Sequence, residues 1–244
     1  MGTLYLVRHG QASAFDENYD RLSTVGEQQA RLFGEWWGAG NVTADRVFTG
    51  PRVRQVRTAE IAAEASGGKL PPPVVLEDLD EMRLEPLFKA NMPELFEKHE
   101  HLRSLGDAML AADGDEARAR HMSTLFEAML QLWGKGELQA ADVEAWTEFR
   151  ERVRRALLAT RQGIPDPGLA LRNRGRKIVA FTSAGVIGAA MQGAVRCDDE
   201  CAISLAFRVR NSSLSEFLFS GDRFSLLSFN GLPHLSDPEL VTLR

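Results

Sequence analysis

Residues 3–13 read Thr-Leu-Tyr-Leu-Val-Arg-His-Gly-Gln-Ala-Ser. The apolar run Leu4 to Val7, closed by Gly10, predicts a strand over 3–10 that ends at the glycine. A second stretch, Val179-Ala-Phe-Thr-Ser-Ala-Gly-Val-Ile-Gly188, repeats the plan: an apolar strand, a turn of small residues, then a helix start. Two strands that each run into a tight, small-residue end suggest a sheet with functional groups gathered along one edge.

The rest of the chain fits that plan. Thr24 to Trp37 has helical spacing, with Ser23 as N-cap and Glu27 near the first turn. Residues 45–51 predict a second strand, followed by a helix over 52–65. Pro71, Pro72 and Pro73 break the chain before a third strand that runs into a loop over 74–81. Over 86–162, Met, Leu, Phe and Trp recur at helical spacing among charges, which predicts three or four helices. Residues 164–177 read as a loop, 178–183 as a fourth strand and 185–195 as a helix. A hairpin turns at Ser220-Gly221-Asp222. Alternating strands and helices predict an α/β, three-layer fold: a mainly parallel central sheet, helices on both faces, and a helical insertion at about 86–140 acting as a lid. The whole chain, 1–244, is expected to form one domain.

With 244 residues and a net charge of −5, the composition is that of an ordinary globular protein and lacks the basic balance of a nucleic-acid binder. No apolar run is long enough to span a membrane, and the expectation is a soluble, cytoplasmic protein. Cys197 and Cys201 are the two cysteines. On a helix they would lie one turn apart and could share a metal, but no neighbouring ligand completes a site, so they read as reduced thiols.

In sheets of this kind ligands bind beyond the carboxyl ends of the strands. Those ends are Arg8-His9-Gly10, Thr49 to Arg54, Asp80-Glu81 and Thr182 to Gly185. They offer a nucleophilic imidazole, guanidinium groups and an acid. Gly10 leaves room for a ligand's oxygens, and the free N–H groups of a helix start follow Ser183. Arg52, Arg54 and Arg57 open a helix, where the macrodipole disfavours cations, unless they clamp an anion. The set points to phosphoryl transfer, in which positioning and charge stabilisation dominate.

Leu6-Val-Arg-His-Gly-Gln-Ala-Ser13 resembles the nucleophile segment of the histidine phosphatase, or phosphoglycerate-mutase-like, superfamily. The likeness continues in order. Tyr19 to Ala30 is similar to the family's L-(S/T)-x-x-G-x-x-Q-A segment, and Thr49 to Glu60 to its S-x-P-x-x-R-x-x-x-T-A-E segment. Leu79-Asp-Glu-Met82 is similar to its acid-bearing segment, and 178–187 to the strand and turn of its second pocket histidine. The resemblance implies that His9 attacks phosphorus, that Arg8 and Arg54 hold the phosphoryl oxygens, and that Glu81 protonates the leaving oxygen. Gly10, Gln11, Ser183 and Ala184 would line the substrate seat. The partner would be a small phosphorylated substrate, with no metal and no organic cofactor. The apolar helices of the insertion either cover that substrate or form a homodimer interface.

The chain departs from the family at two positions. Ser183 stands where the family usually has histidine, and Phe15 where mutase-like members often have asparagine. A phosphatase using His9 is therefore the leading expectation. The alternatives are a catalytically weak or inactive phosphate-ligand binder and, less favoured, a mutase. On this reading a histidine restored at position 183 keeps or raises activity. A serine-hydrolase triad of Ser183, Asp222 and His234 is disfavoured because Phe181 occupies a place where the nucleophile elbow needs glycine.

Overall fold

The computed structural model describes residues 1–13, 20–83, 85–139, 143–162 and 175–243. Phe15 and most of the loop expected over 164–177 lie outside them. Six strands form one sheet: β1 (Gly2–Arg8), β2 (Arg46–Thr49), β3 (Val74–Val75), β4 (Lys177–Thr182), β5 (Leu214–Ser220) and β6 (Arg223–Gly231). Their order is β3-β2-β4-β1-β5-β6. The first four strands in that order run parallel, while β5 and β6 form an antiparallel hairpin on the far edge.

Side chains alternate across each strand, so the two sheet faces draw on different residues. Tyr5, Val7, Val47, Val179 and Phe181 face α1 (Thr24–Ala39) and α2 (Val53–Ala65), where Phe33, Trp37, Ala59 and Ala62 complete an apolar layer. Leu4, Leu6, Phe48, Ile178 and Ala180 lie in the opposite layer. It contains Val153 and Leu157 of α6 (Trp146–Gln162) and Val186, Ile187 and Met191 of α7 (Ala184–Val195). This is the expected three-layer α/β arrangement.

The insertion is helical: α3 (Glu85–Lys98), α4 (Glu100–Ala111) and α5 (Asp115–Gly134). Leu95, Leu102, Leu125, Met129 and Trp133 join the apolar layer of α6 and α7. The chain also forms α8 (Asp199–Arg208), against which α5 packs: Gly134 lies so close to Ile203 that a Cβ would come within 2.3 Å of its Cδ1. The third strand is shorter than the sequence suggests. Only Val74 and Val75 pair with β2, and both are exposed, before a 3₁₀ turn over Glu77–Leu79.

Two local features aim the end of β1. Ser23 caps α1 by accepting from the Gly26 amide at 3.1 Å, an interaction whose loss typically costs about 1 kcal/mol. The capped turn presses against the chain after His9. A Cβ on Gly10 would lie 2.4 Å from Gly26 O, and one on Gly26 would lie 2.1 Å from Gln11 O. Glycine at both positions lets the two backbones touch.

Candidate active site

The parallel register pairs Arg8 with Thr182, so His9 and Ser183 emerge from neighbouring strands at the same edge. The His9 amide donates to Thr182 O at 2.9 Å. His9 is buried, and its Nδ1 lies 2.7 Å from Gly10 O. A carbonyl only accepts, so Nδ1 carries the proton and Nε2 keeps a lone pair. Arg54 Nε donates to that lone pair at 3.1 Å. Burial, then the charges of Arg54 and Arg8, push the His9 pKa well below the usual histidine value. The ring is therefore neutral at pH 7, which is the nucleophilic form.

Arg54, also buried, comes from the first turn of α2. Its Nη1 donates to Asp20 Oδ1 at 3.0 Å, and Asp20 Oδ2 accepts the Val53 amide at 2.9 Å. One carboxylate thus spans a guanidinium and a helix N-terminus, two groups that ordinarily bind phosphate. Thr58, one turn along α2, donates to Arg54 O and accepts the Gly10 amide at 3.1 Å, which ties the helix to the end of β1.

The other arginines of this group have different partners. Arg52 Nε pairs with Asp80 Oδ1 at 2.6 Å, and Arg57 points outward to Glu60. Arg8 donates to Val209 O and, at 2.7 Å, to Leu243 O, which draws the C-terminal segment beneath β1. Its charge reaches His9, but those carbonyls hold its guanidinium. Asp80 is buried. Burial acts to raise its pKa, but pairing with Arg52 and Arg83 outweighs that and leaves it below the usual carboxylate range.

Glu81 lies beside the turn that joins β4 to α7. Its Oε2 accepts the Gly185 amide at 3.1 Å and its Oε1 accepts the Met82 amide at 3.0 Å. A Cβ on Gly185 would sit 2.3 Å from Glu81 Oε1, so a side chain there would displace the carboxylate. Ser183 occupies the N-cap position of α7, yet its hydroxyl caps nothing; Gln55 Nε2 donates to it at 2.7 Å. Ala184 opens the helix, half-buried. Gln11 faces α1: its amide donates to Gln29 Oε1 at 2.8 Å, and its Oε1 accepts from Ser23.

The structure therefore brings His9, Gly10 and Arg54 together, with Ser183 on the adjoining strand end and Glu81 beyond it. The sequence reading passed over Asp20, Gln55 and Thr58. Asp20 could have been suspected from its place just before the Leu22-Ser23 segment, and Gln55 from its place next to Arg54.

The triad reading fails on position. His234 Nε2 lies 2.9 Å from Ser212 Oγ and the ring packs against Phe33, while Asp222 sits in the β5–β6 turn near the start of β1. A cleft of about 720 Å³ between α6 and α7 also opens near that turn. Its Arg150 and Arg154 are paired with Asp199 and Glu151. Cys197 and Cys201 are free thiols, and burial, followed by the neighbouring Cys201, pushes Cys197 up to about 11. Among the described residues no group of three or more His, Cys, Asp or Glu side chains is placed to hold a metal ion.

Residues 4–120 match the family model of the histidine phosphatase superfamily (branch 1). Over 105 residues the chain is 35% identical to a 2,3-bisphosphoglycerate-dependent phosphoglycerate mutase of Caulobacter vibrioides (strain NA1000 / CB15N). That alignment covers 41% of this chain and 44% of the mutase, so the match spans less than half of the curated relative. In fold the chain is similar to Bacillus stearothermophilus YhfR, with a TM-score of 0.62 at 18% identity over 96% of this chain and 99% of that one. It is also similar to a mutant phosphoserine phosphatase from Entamoeba histolytica in complex with phosphoserine, with a TM-score of 0.61 at 17% identity, over 96% of this chain and 100% of that one.

Proposed function

From the match of residues 4–120 to the histidine phosphatase superfamily model and from the site geometry, we propose that the chain hydrolyses a small phosphomonoester through a phosphohistidine on His9. The observation that carries this reading is the buried neutral imidazole, with its proton anchored on Gly10 O and its free nitrogen facing Arg54. Arg54 leaves the His9 lone pair as substrate enters and turns its donors to the phosphoryl oxygens. His9 Nε2 then bonds to phosphorus while the bond from phosphorus to the ester oxygen breaks, and that oxygen takes up a proton, with Glu81 as the candidate donor. In the second half Glu81 takes a proton from water, the water oxygen bonds to phosphorus, and the P–N bond breaks to release phosphate. Ser183 and the amides that open α7 form the far wall of the seat. Helices α3 to α5 are the candidate lid over it, in a chain we take as one domain.

A generic phosphomonoester and a search for acid-labile phosphoprotein test the reading. Wild type turns over and accumulates phosphoenzyme, and His9→Ala does neither; equal turnover by the two proteins rejects the proposal. The second reading, a phosphate binder with little turnover, draws on the complete burial of Ser183 at the position where the resemblance implies a histidine. It predicts saturable phosphate binding without hydrolysis. A mutase is the third reading, supported by the name of the curated relative.

A further inference from the structure

Ser183 would ordinarily cap α7 by accepting an amide of the first turn. Glu81 has taken that amide, leaving the hydroxyl free for another task. Its neighbour is Gln55, and both side chains are fully buried. The orientation of the Gln55 amide is fixed from both ends. Its Oε1 accepts the Arg52 amide at 3.0 Å, and its Nε2 lies 3.4 Å from Leu79 O. A backbone N–H only donates and a carbonyl only accepts, so exchanging the amide's oxygen and nitrogen would spoil both contacts. Gly50 makes the placement possible, because a Cβ there would lie 2.2 Å from Gln55 Oε1.

It follows that Gln55 must donate to Ser183. A hydroxyl that accepts from one side turns its single proton elsewhere. We propose that Gln55 is a positioning residue that commits the Ser183 proton to the phosphoryl seat, so that the Gln55–Ser183 pair replaces, as a unit, the second pocket histidine of the resembling family. This rests on the phosphatase reading above. The pair supplies an aimed donor without a titratable charge. Ser183 is fully buried, so water does not reach that proton.

The test is a double-mutant cycle in the full chain with Gln55→Leu, Ser183→Ala and both together. It reads hydrolysis of p-nitrophenyl phosphate, inorganic phosphate binding by calorimetry, and the thermal midpoint as a check on folding. Each single change lowers kcat by ~10²-fold, the scale set by losing one aimed donor, with a smaller change in KM. In the Ser183→Ala background, Gln55→Leu changes kcat and phosphate affinity less than about twofold, because its effect runs through the hydroxyl. Additive losses, or a wild-type Gln55→Leu, overturn the proposal. Gln55→Met takes the place of Gln55→Leu if that variant does not fold. If His9→Ala hydrolyses as well as wild type, the phosphatase reading falls, and the phosphate-binding cycle alone then judges the pair.

Discussion

Strands β1 and β4 lie side by side in register, yet the two ends solve different problems. The β1 end presents a reactive group and is braced from several directions. Thr182 O takes the His9 amide, Gly10 rests on α1, and the Ser212 amide donates to His9 O at 3.1 Å. Ser212 holds a left-handed backbone, φ 53°, and its hydroxyl contacts the buried His234. The β4 end carries a buried hydroxyl and the first turn of α7, and its bracing comes through Gln55 and Glu81. On the proposed reading, the nucleophile wall is held from several sides, while the wall opposite needs a neighbour, Gln55, to hold its donor.

The comparison breaks first at Arg54, which belongs to the β1 wall and faces both His9 and the seat. Arg54→Lys keeps the charge and loses the planar fork. It should lower kcat on a generic phosphomonoester by ~10²–10³-fold. A loss under tenfold would mean that Arg54 serves folding more than phosphate. Next comes Ser183→His. The resemblance implies that this change keeps or raises activity, because the family the sequence resembles usually has histidine there. The structure argues against it: Ser183 has no exposed surface and stands 2.7 Å from Gln55. Overpacking of this kind costs ~1–3 kcal/mol. Ser183→His alone should therefore lower the thermal midpoint and the activity, and Gln55→Ala beside it should restore both. A stable, active single variant would show that the β4 wall has slack.

A smaller effect, confined to acid, separates the braces. Burial lowers the His234 pKa to about 4, and the His9 pKa is also depressed, burial again being the main cause. For a group that resists protonation in the folded state, the unfolded chain binds the extra proton. Stability is therefore full above the ordinary histidine value and falls as pH drops below about 6.5, by up to ~1.4 kcal/mol per pH unit for each such histidine. Urea unfolding of His234→Gln between pH 7 and 4.5 should show a slope shallower by about one proton than wild type. An unchanged slope would place the acid sensitivity elsewhere.

Much of this architecture is legible in the sequence because strand ends, caps and punctuating glycines are local signals. Ser23 caps α1 as its spacing predicts, and the Ser220-Gly221-Asp222 turn closes the β5–β6 hairpin. The third strand reads longer than it is, because Val74-Val75-Leu76 has strand composition while β2 offers only Phe48 and Thr49 as partners. The arginines of 52–57 read as one anion clamp, and packing separates them: Arg54 inward, Arg52 onto Asp80, Arg57 to solvent. Gln55 carries only a weak sequence signal, its place next to Arg54, because a glutamine in a helical run is ordinary. Its role depends on which atoms two distant backbone groups, at Arg52 and Leu79, turn toward it.

The smallest predicted effect concerns Asp20, the residue that already holds the anion-binding groups of the β1 wall. Its carboxylate sits on the Val53 amide and on Arg54, where a phosphoryl group would also be attracted. Such a carboxylate either steadies the guanidinium or competes with the incoming anion, and the two effects have opposite signs. Its side chain is about a quarter exposed, so its pair with Arg54 is screened and worth ~0.2–1 kcal/mol. If competition dominates, Asp20→Asn keeps a hydrogen-bonding side chain, removes the charge, and tightens inorganic phosphate binding by up to about fivefold, the fold-change equivalent to the upper end of that energy. Calorimetric titration with phosphate decides the sign. Weaker binding would make Asp20 a brace like Gln55, and both walls of the seat would then depend on a neighbouring side chain to aim their donors.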